Sequence, residues 1–258
     1  MYELSAWSAS SLVGAMIVWV GATPIHASEQ TSERLEIVDR AIEYHGGMRY
    51  ESSDTTLRMC SKSGCYQIRA RVDDGQFLYD VAAIDHSQDR RVVWTNDSLE
   101  LRVEGVPRAV ETDRVQTLRD WAMARIYFCF LPFRLNDESV LKEDLGLEDW
   151  DGRDLHKVKV SFQAGSSSGA DDEYLYWFEP RSGRLQQFAY SFSGDPGGLR
   201  FRRATRFRRV SDILFFDQEN MGVDGDGFTV DQIDPGFVSQ MKPISTVELS
   251  NIRVEALD

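Results

Sequence analysis

Residues 174–192 read YLYWFEPRSGRLQQFAYSF. Two aromatic-rich runs flank Glu179-Pro180-Arg181-Ser182-Gly183-Arg184, where Pro, Ser and Gly favour the backbone angles of a turn. The segment reads as a β-hairpin with strands 173–178 and 185–193. Pairing Glu179 with Arg184 sets Trp177 opposite Gln186 and Leu175 opposite Phe188. Leu175, Trp177, Phe188, Tyr190 and Phe192 then share one face. Tyr174, Tyr176 and Phe178 take the other, beside Leu185 and Ala189. Both faces are apolar or aromatic, whereas a sheet with one wet face would carry polar residues there. A sheet covered by helices on one side and curled around a cavity fits this pattern. So does an ordinary two-layer core.

Further strands lie on both sides. Residues 54–60 and 65–72 form a hairpin, followed by short β-branched or aromatic runs at 76–82 and 91–95. Beyond the central hairpin come 199–209, 213–217 and 245–255, with another strand at 155–163 before it. Two helices interrupt the pattern. Leu35, Val38 and Ile42 recur at helical spacing in 32–45, where Thr31 or Ser32 can cap the start and Gly46-Gly47 stops it. A second helix spans 112–128, with Val115, Leu118 and Ala122 on one face, and Pro132 ends it. The fold class is mainly β with a few helices, an antiparallel curved sheet covered by helices. In this reading the second helix covers the concave face with Trp121 and Tyr127.

The chain has 258 residues, a formal charge of −13, 42% hydrophobic and 11% aromatic residues. That composition supports a packed core and lacks the basic footprint of a nucleic-acid binder. Residues 12–22, LVGAMIVWVGA, form an uncharged run too short to span a bilayer. We read residues 1–27 as a signal peptide cut after Ala27 or Ala22, and 28–258 as one domain exported to the periplasm or cell envelope. No Lys or Arg precedes the run, so an uncleaved helix is the alternative. No cysteine follows it, so a lipid-anchored N-terminus is not expected. Cys60 and Cys65 flank a four-residue polar turn. Export would let them form a disulfide, the alternative being two free thiols. Cys129 sits in an apolar run and reads as a core thiol.

The runs Ala41-Ile42-Glu43-Tyr44-His45-Gly46-Gly47, Phe130-Leu131-Pro132-Phe133-Arg134-Leu135, Glu173-Tyr174-Leu175-Tyr176-Trp177-Phe178, Phe188-Ala189-Tyr190-Ser191 and Gly197-Gly198-Leu199-Arg200-Phe201-Arg202 occur in that order. Over residues 35–255 the chain resembles a domain-of-unknown-function family of bacterial envelope proteins grouped with LolA/LppX-like lipoprotein carriers. The resemblance implies a half-barrel, closed on its concave side by helices around an apolar cavity, in an exported protein.

Sequence motifs for chemistry are weak. Gly165-Ser166-Ser167-Ser168-Gly169 matches the hydrolase pattern G-x-S-x-G, but lies in a polar loop between strands rather than at a strand–helix turn. Asp224-Gly225-Asp226-Gly227 fails the EF-hand spacing, and no His or Cys pairing has metal-ligand spacing. No metal or cofactor is expected. His45, at a helix C-terminus, would be favoured in its charged form by the helix dipole. Arg200, Arg202, Arg206 and Arg208 share a face in a regular strand. They read as surface ion pairs, or as an anion site for a lipid headgroup with membrane-surface association. The sequence therefore points to a non-catalytic protein binding an apolar small molecule or lipid. The alternatives are a structural envelope protein with a filled core and a hydrolase built on Ser167.

Overall fold

A computed structural model describes residues 35–84, 89–163, 172–192, 197–225 and 227–257. The expected signal peptide, the helix caps Thr31 and Ser32, and the serine-rich loop at 165–169 lie outside the described residues.

The chain first lays down six strands: β1 (Ser52–Ser61), β2 (Gly64–Asp73), β3 (Gln76–Ile84), β4 (Arg90–Thr95), β5 (Leu99–Val103) and β6 (Val106–Arg108). Helix α2 (Val115–Cys129) follows, preceded near the start of the chain by α1 (Glu36–His45). Seven strands complete the fold: β7 (Val140–Asp149), β8 (Asp154–Phe162), β9 (Tyr174–Phe178), β10 (Leu185–Phe192), β11 (Gly198–Val210), β12 (Ile213–Asp224) and β13 (Lys242–Ala256). A short helix, α3 (Pro235–Val238), lies between the last two strands. All pair antiparallel in one open sheet, in the order β6-β5-β4-β3-β2-β1-β13-β12-β11-β10-β9-β8-β7. The first meander runs from the centre to one edge, and the second starts at the far edge and returns to the centre. The connection must cross the sheet. Its 15-residue helix covers about 22 Å of that path at about 1.5 Å per residue.

Helix α2 shows that the sheet is curved. Leu118, Ala122, Ile126 and Cys129 recur at i+4, i+4 and i+3, and pack on Leu57, Ile68, Val81 and Val92 of the first meander. Tyr127 and Phe128 of the same helix pack with Tyr176, Phe178 and Phe188 of the second. One sheet face thus wraps around one helix. Helix α1 lies on that face too, through Ile37, Val38 and Ala41. Leu35 and Ile42 are only half-buried beside them.

The two halves differ on their outer face. In β1 and β2 burial alternates residue by residue. The outward positions carry ion pairs: Arg69 Nε to Asp54 Oδ1 at 2.8 Å, and Arg91 Nε to Asp80 Oδ1 at 2.7 Å. Each such exposed pair adds little stability, but the row keeps this face wet. In the second half the outer face is dry. Leu175, Trp177, Ala189, Leu199 and Phe201 are covered by Val230, Ile233, Val238 and Met241 from the β12–β13 connection, and by Trp150. This explains the two apolar faces of the central hairpin: helices cover one and this connection covers the other.

The hairpin register differs from the expectation. The Glu179 N–H does donate to the Arg184 carbonyl at 2.9 Å. A bulge between Leu185 and Gln187 then shifts the pairing by one, so Phe188 faces Tyr176 and Ala189 faces Leu175. A one-residue slip moves every following side chain to the opposite face. Phe188, Tyr190 and Phe192 therefore do not share a face with Leu175 and Trp177.

Helix α1 docks on this hairpin. A Cβ at Gly183, whose φ is +76°, would lie 2.6 Å from the Ala41 nitrogen, so only glycine allows the approach. Arg40 Nη1 donates to the Pro180 carbonyl at 2.6 Å. His45 Nε2 accepts the Leu185 N–H at 3.1 Å. That histidine is fully buried, and desolvation, with Arg209 nearby, lowers its pKa from 6.5 to about 3. It is neutral, contrary to the charged state expected from the helix dipole, because burial outweighs the dipole. Cys60 and Cys65 face one another across the β1–β2 hairpin, 4.1 Å apart at Cα, and are disulfide-bonded. Cys129 is a buried thiol with its pKa pushed up to about 12 by desolvation.

Candidate functional site

A cleft of about 490 Å³ opens where the two ends of the curved sheet approach α2. Its size falls within the range of small-molecule sites, roughly 300–1,000 Å³. One wall is Phe77 of β3 and Trp94 of β4, edge-to-face at 5.2 Å. The opposite wall is Phe162 of β8 and Tyr174 of β9, also edge-to-face, at 5.7 Å. The helix supplies the floor through Met123, Ala124, Tyr127 and Phe128. Arg119, Met123 and Tyr127 follow one another at i+4 and therefore line one stripe of α2.

Charged groups sit among these rings. Arg134 Nε donates to Asp137 Oδ2 at 2.6 Å, and its Nη1 donates to the Tyr79 hydroxyl at 3.4 Å. Burial opposes the Arg134 charge, and Asp137 with Tyr79 more than offsets it, so its pKa stands above the ordinary value. The Arg119 guanidinium lies over the Trp94 ring at 5.5 Å. The Tyr127 hydroxyl is 2.8 Å from that of Tyr176. Burial raises the pKa of Tyr127, Tyr174 and Tyr176, so all three stay neutral at ordinary pH.

Of the residues expected to line a cavity, Tyr127 does so. Phe188 lies beneath Phe128, stacked at 5.7 Å, and Tyr190 packs beside it. Phe192 sits under the Arg200 guanidinium at 4.7 Å. Trp121 points to the first meander, against Tyr66 and Arg125. Leu175 and Trp177 are in the outer core. Trp177 donates from Nε1 to Glu148 Oε2 at 2.5 Å and packs on Trp150.

The four arginines of β11 are dispersed. Arg200 donates to Asp224 Oδ1 at 2.6 Å. Arg202 donates to Gln218 Oε1 at 2.8 Å and to the Tyr190 hydroxyl at 3.0 Å. Arg206 and Arg208 meet at Asp217, at 3.4 and 2.7 Å. A bulge between Thr205 and Arg208, with Arg206 at a φ of 46°, ends the even-numbered alternation.

Phe77, Trp94, Met123, Phe128 and Phe162 were missed as cleft residues. The signal for Met123 was present, since it is the i+4 neighbour of both Arg119 and Tyr127. Phe77 and Trp94 meet only through the β3–β4 register, which neither strand reveals alone.

The described strands thus form one open, curved antiparallel sheet folded over helices, with a cleft of aromatic and charged residues along its mouth. The chain belongs to the Family of unknown function (DUF6503), matched over residues 23–233. No curated protein matches it in sequence. Among solved structures it is similar to a LolA superfamily protein from Nitrosomonas europaea, with 11% identity and a TM-score of 0.49, covering 86% of this chain and 93% of that one. It is also similar to a DUF1329 family protein from Desulfovibrio piger, with 12% identity, a TM-score of 0.47, and coverage of 84% and 91%. A putative outer membrane lipoprotein-sorting protein domain from Vibrio parahaemolyticus gives 11% identity, a TM-score of 0.39, and coverage of 84% and 92%.

Proposed function

We propose that this protein is an exported, non-catalytic binding protein whose cleft holds the apolar part of a lipid or similar small molecule. The observation that carries the reading is the open 490 Å³ cleft between Phe77–Trp94 and Phe162–Tyr174, floored by α2. A structural protein with a filled core has no use for that space. Aromatic walls favour an apolar guest because its burial releases water from both surfaces. The Cys60–Cys65 disulfide supports the export part of the reading, since such bonds persist in oxidising compartments. A single domain spanning 28–258 is part of the same proposal, supported by one sheet that runs through both meanders. Native mass spectrometry after gentle extraction from the producing cell tests the function. The expected result is an adduct that organic extraction removes. A bare polypeptide mass in every preparation contradicts it.

A further inference from the structure

We infer that the guest of this cleft carries an anionic head, a carboxylate or a phosphate, and that Arg119 receives it. The inference rests on the apolar-ligand reading above and adds the chemical class of the head. Each acidic group of the cleft is already engaged. Asp137 holds Arg134, Asp120 accepts from Gln116 at 2.9 Å, and Asp172 has a partner within the protein. Arg119 differs. Among the described residues it has no carboxylate partner, and its Nε–H is buried with no acceptor.

A buried N–H without an acceptor is destabilising, and natural folds keep such groups rarely. The side chain that carries it lines a cleft wide enough to admit an anion. The Trp94 ring, 5.5 Å from the guanidinium, holds the cation in place through its π face without neutralising it. A guanidinium presents a planar fork that fits the paired oxygens of a carboxylate or phosphate. The order along α2 sets the polarity of the guest. Arg119 lies about 12 Å, eight residues, from Tyr127 on the same stripe, with Met123 between them. The head would rest at Arg119, and the tail would run over Met123 toward Tyr127, Phe162 and Tyr174.

The test measures dissociation constants for dodecanoate, dodecyl phosphate and dodecanol, which share one tail, on the full chain and on Arg119→Gln. The expected result is that one or both anions bind at least roughly tenfold more tightly than dodecanol to the native chain. Arg119→Gln should erase that preference, with circular dichroism and thermal melting showing that the variant is still folded. The tighter of the two anions identifies the head as carboxylate or phosphate. Equal binding of all three to the native chain overturns the anionic head and leaves the apolar reading standing. So does a preference that survives Arg119→Gln. Failure of all three to bind overturns the apolar reading and the inference with it.

Discussion

The hydroxyl of Tyr127 on α2 lies 2.8 Å from the hydroxyl of Tyr176 on β9, joining the crossing helix to the strands beneath it. The contact stands at the boundary between the filled inner core and the open cleft. Tyr127→Phe leaves the buried Tyr176 hydroxyl without this partner, at an expected cost of about 1–3 kcal/mol. Tyr176→Phe should cost a similar amount, and the double variant less than the sum, measured by urea denaturation. Additive losses would show that the bond contributes nothing. Both hydroxyls have raised pKa values from burial. The unfolded chain therefore releases these protons at the ordinary tyrosine value while the folded chain keeps them. Stability should fall as pH rises through about 10.

Trp177→Ala should cost about 3–5 kcal/mol of stability and leave apolar-probe binding by the folded fraction unchanged. The register read from the turn alone makes Trp177 a cavity residue and predicts the reverse, a binding loss larger than the folding loss. The structure puts it in the outer core against Trp150 and Phe201, away from the cleft. Denaturation midpoints and probe titration on this one variant decide between the two.

Much of the fold was legible because alternation and turn chemistry are local. The hairpin turns within 61–64 and 179–184, the crossing helix and the disulfide pair follow from residues within a few positions of one another. The register of the central hairpin was not legible. The bulge at Gln186 leaves no mark in a run of two glutamines, and one inserted residue reverses the face of all that follow. Strand β7, Val140–Asp149, was unreadable because it is an edge strand whose sequence, VLKEDLGLED, carries acidic residues instead of an apolar face. The cleft was legible in part. Tyr127 follows from expecting the 112–128 helix to cover the concave face, whereas Phe77, Trp94 and Phe162 come from separate meanders and meet only through the curvature of the sheet.

His45 should make the fold acid-sensitive. It is neutral in the folded chain because its pKa is lowered from 6.5 to about 3, and below 6.5 the unfolded chain takes up a proton that the folded chain does not. Stability should therefore fall as pH drops from 6.5 toward 3, by at most about 1.4 kcal/mol per pH unit from this residue. His45→Gln, which can still accept the Leu185 N–H, should flatten that slope. An unchanged slope, or a His45 imidazole that titrates near 6.5 in the folded protein, would contradict this.

The central claim is that the cleft is the binding site, and a blocking substitution tests it most directly. Ala124 is exposed on α2 and lines the cleft floor, so a larger side chain there occupies the space without entering the core. The measurement is fluorescence titration of an apolar probe on the native chain and on Ala124→Trp, with thermal melting of both. The account predicts saturable binding to the native chain, a loss of at least tenfold in affinity for Ala124→Trp, and matching melting temperatures. Saturable binding that is undiminished in a folded Ala124→Trp variant would place the ligand elsewhere and contradict the account.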